Sequence, residues 1–130
     1  LALTGAEGEM LVTWTQDRVS GPHVRYGTES GQLSRTAPAT TFTYRREQMC
    51  GEPAARHGWR APGQFHSATL KGLHPSQRVY YTFGDNAGGW SPEYEFVTPP
   101  PAGGAVKLFA FGDLGTHDRD DSLQTDQDID

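Results

Sequence analysis

The chain has 130 residues, with 16 Asp and Glu against 11 Lys and Arg, which gives a formal net charge of -5. This length is enough for one domain with a hydrophobic core, but not for two domains of ordinary size. The single cysteine excludes a disulfide framework within the chain. The mild acidity excludes the basic surface of a nucleic-acid-binding domain, and no apolar run approaches the roughly 20 residues of a membrane span.

The acidic charge is concentrated at the end of the chain. Residues 116–130 contain six Asp and one Arg, which leaves ten acidic and ten basic residues in the preceding 115. This break in composition predicts a change of structural unit near that point. The chain also begins without Met, and we expect both of its ends to have been cut from a longer protein.

Six segments alternate apolar and polar residues with the two-residue period of a β-strand. In chain order they are residues 9–15, 23–27, 40–45, 65–70, 79–84 and 94–98. Turns that contain Gly or Pro separate them, and no useful helical period precedes residue 115. About seven short strands in about 100 residues are typical of a β-sandwich, in which each strand turns one apolar face to the opposing sheet.

A linker follows the predicted sandwich. Residues 99–105 read Pro-Pro-Pro-Ala-Gly-Gly-Ala, which is stiff at first and then flexible. The nearly continuous apolar run Val106–Phe111 then predicts a strand buried on both faces, as in an α/β sheet. We therefore divide the chain into an all-β sandwich at 1–98, a linker at 99–105 and the truncated start of an α/β domain at 106–130.

Asp113 is the best candidate for a metal ligand. It directly follows the predicted buried strand and lies between Gly112 and Gly115. Ligands of open α/β sheets bind just beyond the carboxyl ends of the strands, and a carboxylate there suits a hard metal ion. The alternative is a turn aspartate that bonds its own backbone. A metal centre would also need ligands from outside this chain.

Three other residues have alternative roles. Cys50 is either an unpaired thiol or the disulfide partner of a cysteine in a missing segment. Trp59 lies in the long irregular segment 49–64 and Trp90 lies in a Gly-rich turn; each either contacts a partner or packs onto its own sandwich. The five histidines form no metal-binding pair, and we expect them in turns or on the surface.

Several motifs along the chain have a distinctive order and spacing. They are Met10–Thr15, Val24–Gly27, Leu73–Pro75 followed by Tyr80 and Tyr81, Gly89–Ser91 and Phe96–Pro99. Together they resemble the N-terminal fibronectin type III-like domain of purple acid phosphatases. Tyr44–Cys50 and Gly58–Gly63 resemble the larger plant and algal branch of that family. Phe111–Gly115 is similar to the first metallophosphoesterase motif of the catalytic domain, whereas Val79 stands where the fibronectin pattern has Tyr.

The resemblance implies that the intact protein hydrolyses phosphate monoesters through a missing catalytic domain. The family uses a centre of ferric iron and a second metal, which is zinc, manganese or iron, and Asp113 would be a ligand of the ferric ion. One carboxylate cannot hold two metals, so we expect this chain alone to bind none, to be inactive and to act as an accessory domain. The resemblance further implies a secreted or vacuolar protein that could form a homodimer.

Two other functions are compatible with the sequence. A fibronectin-like binding or adhesion module, whose tail is only a linker, would lack the metal-binding motifs of the catalytic domain downstream. A nucleotide pyrophosphatase or phosphodiesterase on the same scaffold would differ in its substrate preference.

Overall fold

The structure is a computed structural model that describes residues 1–17, 19–51 and 59–112. These residues form eight β-strands and one 3-10 helix. The strands are β1 (Met10–Thr15), β2 (His23–Gly27), β3 (Arg35–Pro38), β4 (Thr40–Phe42), β5 (Phe65–Leu70), β6 (Arg78–Asp85), β7 (Gly89–Trp90) and β8 (Tyr94–Val97), and the 3-10 helix is Arg46–Gln48. Within the described ranges, no helix is long and apolar enough to cross a membrane.

The strands form two antiparallel sheets. One sheet has the order β1-β5-β4, and the other has β3-β2-β6, with β7 and β8 both paired to the remaining edge of β6. In the first sheet Trp14 lies opposite His66, and in the second Val24 lies opposite Phe83. The predicted all-β sandwich is confirmed by this arrangement.

Alternate residues of the strands fill the space between the sheets. In β1 every second residue is buried and the residues between them face outwards. The buried apolar residues are Met10, Val12, Trp14, Val24, Tyr26, Ala37, Ala68, Leu70, Leu73, Val79 and Tyr81. Burying each of the larger side chains contributes about 1.5–3 kcal/mol. The core is therefore built from both sheets and closed at one end by Leu73, in the loop between β5 and β6.

The strand pattern of the structure differs from the prediction in four places. The sequence did not predict β3, which has only Ala37 buried, or β7, which has two residues. The strand predicted at 40–45 ends at Phe42. The strand predicted over 106–111 is not formed, and the large apolar side chains in this segment are 69–86% exposed. This corrects the prediction for these residues: a strand needs a neighbour for its backbone hydrogen bonds, and no described strand lies beside them.

Tyr26 and Arg35 hold the loop between β5 and β6. The Tyr26 hydroxyl donates to the Lys71 carbonyl at 3.3 Å and accepts from the Lys71 N–H at 3.4 Å. The Arg35 guanidinium lies 4.7 Å from the centre of the Tyr26 ring and donates to the Gly72 carbonyl at 3.1 Å. Val79, at the position where the fibronectin pattern has Tyr, is a buried core residue. A tyrosine of β2 therefore fixes this loop.

His66 is fully buried, which contradicts the expectation that the histidines lie in turns or on the surface. Its Nε2 atom lies 2.8 Å from the Gln16 carbonyl oxygen, and its Nδ1 atom lies 2.8 Å from the Thr41 hydroxyl. Because a carbonyl only accepts, Nε2 carries a hydrogen, and the Thr41 hydroxyl, which can donate or accept, pairs with Nδ1. The ring packs 5.2 Å from Trp14. Both nitrogens are thus satisfied inside the sandwich, so His66 has a structural role.

The variant His66→Leu tests this role. The leucine fills a similar space but leaves the part-buried Gln16 carbonyl without its donor, which we expect to lower the free energy of unfolding by about 1–3 kcal/mol. Urea unfolding of the chain measures the change, with His74→Leu at an exposed position as the matched control. Equal stability of His66→Leu and the wild type would contradict the role.

Candidate interaction surfaces

The candidate site residues predicted from the sequence are not brought together by the described structure. Asp113 lies outside the described residues. Cys50 is exposed, Trp59 lies beside the three-stranded sheet and Trp90 lies in β7 of the other sheet. Within the described part of the chain, no group of three or more His, Cys, Asp or Glu could hold a metal ion. The roles predicted for Asp113 and Cys50 stay predictions.

Four aromatic side chains form an aromatic strip on the outer face of the three-stranded sheet: Phe42, Tyr44, Trp59 and Phe65. Phe42 and Phe65 are cross-strand neighbours whose stacked rings lie 5.2 Å apart, and Tyr44 stacks on Phe65 at 5.9 Å. Trp59 packs edge-on against Tyr44 at 5.8 Å. Phe42 and Tyr44 remain 58% and 41% exposed. Trp59 therefore packs onto its own domain and also borders an exposed apolar surface.

The geometry of the aromatic strip limits what it can contact. Neighbouring rings cover each other's faces, so their edges point outwards, which suits apolar protein side chains better than a flat ligand. Arg45, Arg46, Glu47 and Asp17 line the adjacent shallow depression, which gives the strip a rim of both charge signs. The sequence signal for this surface was the aromatic character of outward positions in β4 and β5, where a solvated sheet face usually has polar residues.

The Trp90 side chain is held by contacts within its own domain. The Arg25 guanidinium carbon lies 3.9 Å from the centre of a Trp90 ring, and the His23 ring meets the indole edge-on at 4.8 Å. The indole N–H donates to the Asn86 side-chain oxygen at 3.1 Å. Since Arg25 covers a ring face and Asn86 satisfies the only donor, this tryptophan has an evident intramolecular role. Its contact with a partner stays a prediction.

A buried carboxylate, that of Asp85, joins two loops at one end of the sandwich. One oxygen accepts from the backbone N–H groups of Ser20 at 2.6 Å and Gly21 at 3.0 Å, and the other accepts from Ala87 at 3.0 Å and Gly88 at 2.6 Å. These hydrogen bonds, with Gly88 contributing most, hold the pKa of Asp85 well below its ordinary value of 3.8. All its visible partners are structural, so Asp85 is a loop clamp.

Gly84 makes the Asp85 clamp possible. Its φ of +133° lies in the region that favours glycine, and a Cβ there would lie 2.1 Å from the Gly89 carbonyl oxygen. The backbone of the turn that begins β7 therefore approaches β6 at a distance that only glycine permits. This approach brings the turn's N–H groups to the Asp85 carboxylate.

A groove of about 290 Å³ lies at the opposite end of the sandwich, where the chain leaves β8. Three segments line this linker-end groove: residues 3–9, the loop residues 73–75 and the start of the linker at 98–102. The Leu73 N–H donates to the Gly8 carbonyl at 3.0 Å, which holds the first segment against the loop. Leu3 is 69% exposed at its edge. The groove is therefore an open, largely apolar surface built around the exit of the chain.

The two antiparallel sheets and their strand order define a fibronectin type III-like β-sandwich. Residues 1–98 match the family model described as the N-terminal domain of purple acid phosphatases. The chain therefore belongs to the purple acid phosphatase family, and residues 1–98 correspond to the family's N-terminal domain.

The relatives that the chain matches are longer than it is. It is 40% identical to "Probable inactive purple acid phosphatase 24" and 38% identical to "Probable inactive purple acid phosphatase 1", both from Arabidopsis thaliana, over 94% and 95% of this chain. The alignments span 21% and 22% of those relatives. A solved structure of purple acid phosphatase PPD1 from yellow lupin (Lupinus luteus) seeds matches with a TM-score of 0.70 and 36% identity, over 81% of this chain and 19% of that one. The chain thus spans about a fifth of the relatives that it matches.

The variant Asp85→Asn tests the loop clamp through its pH dependence. Since the folded carboxyl titrates below the unfolded one, the folded state binds fewer protons, and this contribution to stability is complete above about pH 5 and decreases as pH falls. At pH 7 we expect a lower thermal midpoint for the variant, because its amide N–H₂ would face backbone donors. The difference from the wild type should shrink between about pH 5 and pH 2.

Thermal unfolding followed by circular dichroism measures this difference. The control is Glu7→Gln, which changes an exposed carboxylate at the other end of the sandwich. A difference for Asp85→Asn that stayed constant across this pH range would show that its charge does not hold the loops.

A double-mutant cycle tests the contact between Arg25 and Trp90. We expect the variants Arg25→Met and Trp90→Leu to show a coupling free energy of about 0.5–1 kcal/mol, as for a partly exposed cation over an indole ring. Urea unfolding of the four proteins measures it. Additive effects of the two substitutions would mean that the stacked geometry contributes nothing to stability.

Proposed function

We propose that this chain is the accessory N-terminal domain of a metallophosphoesterase that hydrolyses phosphate monoesters. The match of residues 1–98 to the purple acid phosphatase N-terminal domain is the observation that carries the proposal. The order Phe-Gly-Asp-Leu-Gly at 111–115, directly after the linker, supports it because it resembles the motif that opens the family's catalytic domain. The relatives' greater length leaves room for such a domain downstream.

The metal centre of this proposal lies mainly outside the chain. Asp113 would supply one ligand of a ferric ion, and the remaining ligands, with those of the zinc, manganese or iron beside it, would come from downstream sequence. In such centres the metals supply Lewis acidity and a hydroxide nucleophile at the phosphorus. Among the described residues no group fits the metal pair, and Asp113, which lies outside them, is the one ligand that this proposal assigns to the chain.

The sandwich would serve the enzyme as a folded module and would take no part in the chemistry. Two of its buried groups with acid–base capacity, His66 and Asp85, have their hydrogen-bonding atoms engaged by partners within the domain. Neither faces the linker-end groove. The surfaces left for function are therefore docking surfaces, towards the downstream domain or towards a second copy in a homodimer. A secreted or vacuolar location belongs to the same proposal.

A catalytically silent protein is the second candidate. Four curated relatives, each 33–40% identical to this chain, are named probable inactive purple acid phosphatases. Under this alternative the parent protein, which is the full-length product containing this chain, would keep the sandwich and lack turnover. A pyrophosphatase or phosphodiesterase would instead prefer nucleotide diesters over monoesters.

The variant Asp113→Asn in the parent protein separates these functions. For a monoesterase we expect the wild type to hydrolyse p-nitrophenyl phosphate. We expect the variant to lose at least about 100-fold of this activity, because removing a metal ligand reduces activity more than removing a residue that only positions a ligand. Iron content by elemental analysis should fall with it. The control Asp118→Asn changes a nearby acidic residue of the same type and should retain both iron and turnover.

The remaining outcomes distinguish the alternatives. A parent protein without turnover on monoesters or nucleotide diesters would support the silent relative, whereas a preference for diesters would support the phosphodiesterase. Turnover by the purified 130-residue chain supplied with ferric and zinc ions would overturn its accessory role.

A further inference from the structure

We propose that the linker-end groove is the docking surface for the domain that follows the linker in the same polypeptide. This inference rests on the proposed function, because it names the partner of the accessory domain. It requires that the chain leave the sandwich along the groove, that the downstream domain start within reach of it and that the groove offer apolar surface to cover. The described residues bear on each requirement.

The exit of the chain is fixed at Thr98. This threonine is buried, and its hydroxyl donates to the His74 carbonyl at 2.6 Å and accepts from the Gln77 N–H at 2.8 Å. One residue further on, the Pro99 carbonyl accepts from the Ser76 N–H at 2.9 Å. The direction of the linker is thus set by the loop between β5 and β6, which also forms a wall of the groove. A flexible exit would have no such bonds.

The linker itself lines the groove and then turns. Pro99, Pro100 and Ala102 lie among the groove residues. The Gly104 N–H donates to the Pro101 carbonyl at 2.9 Å, and Gly103 between them has a φ of +81°, which is a turn that glycine favours. Since the three prolines are stiff, the reversal at 101–104 keeps the following segment near the groove.

The segment after this turn has an apolar surface that lacks cover among the described residues. The large side chains Val106, Leu108, Phe109 and Phe111 are 69–86% exposed. A run of this kind is typical of a segment that another part of the protein buries. The seven residues 99–105 could span at most roughly 25 Å even if extended, so the unit containing this run stays next to the groove at a millimolar effective concentration.

The groove offers that unit a suitable surface. Leu3 and Pro75 are exposed residues of its lining, which also includes Ala6 and the buried Leu73. Glu9 at its edge is paired with Lys71 at 3.2 Å, so one of its charges is already neutralised. Even a weak apolar contact suffices here, because the tether removes most of the entropy that a free partner would lose on association.

The aromatic strip is the competing surface, and its position is less favourable. β5 runs from Phe65 in the strip to Leu70, just before the loop that walls the groove, which is a length of roughly 17 Å. Antiparallel β1 likewise runs from the groove side at Met10 to the strip side at Thr15. A tethered unit that leaves at Thr98 therefore meets the groove first. The strip makes the matched control surface for the experiment.

Limited proteolysis of the parent protein tests the docking surface. Lys107 is the first basic residue after Arg78, so tryptic cleavage after Lys107 reports how well the two domains protect their junction. The groove variant is the double substitution Leu3→Glu and Pro75→Glu, and the control is Phe42→Glu, at a similarly exposed apolar position of the aromatic strip. We expect cleavage to be at least about tenfold faster in the groove variant than in the wild type and the control.

Each other outcome has a defined meaning. Cleavage of the groove variant at the wild-type rate would overturn the proposal, and acceleration only in Phe42→Glu would assign docking to the aromatic strip. Far-UV circular dichroism and the urea midpoint of the sandwich confirm that the substituted residues, all exposed, leave it folded. Protection of Lys107 is independent of turnover, so a parent protein that lacks phosphatase activity but shows the groove effect would refute the proposed function and retain this inference.

Discussion

The apolar layer between the two sheets is the constraint on which the other features depend. Val24 and Leu70 are completely buried in it, and Val79 is almost so. Because a strand alternates its side chains, fixing these residues inwards also fixes which residues point outwards. The outward pairing of Phe42 with Phe65, and of Trp90 with the β2 side chains Arg25 and His23, follows from that register. The surfaces of the domain are in this sense a consequence of its core.

The two ends of the sandwich differ in polarity and in how much surface they leave open. At one end, the side chains of Asp85 and His66 are buried, and their hydrogen-bonding atoms are engaged by partners within the domain. Neither side chain is therefore available to an outside partner. At the other end, Leu73 closes the core and leaves an open groove beside the exit at Thr98. A closed polar end resists change, whereas an open apolar end can bury further surface. This asymmetry favours the groove over the clamp as the place where a second domain docks.

The sequence predicted the strands whose alternation is strong and missed those that rely on neighbours. β1, β5 and β6 have several apolar residues on one face and were predicted almost to the residue. β3 has only Ala37 buried, and β7 exists because the turn after Gly84 returns to the edge of β6. Neither has a periodic signal of its own. The apolar run at 106–111 is the opposite case: its composition predicts a buried strand, but no described strand pairs with it and no strand forms.

The candidate site was predictable only where a residue type implies its chemistry. The Gly-flanked Asp113 could be proposed as a ligand from sequence, and this role stays a prediction because the residue lies outside the described ones. The inward position of His66 follows from the alternation of β5, yet its two hydrogen bonds depend on Gln16 and Thr41, which are distant in sequence. The groove has no sequence motif at all, because it arises where three separate segments meet. Its apolar lining and the exposed run beyond it become related only once Thr98 is seen to direct the chain between them, which is why docking of the following domain is an inference from structure.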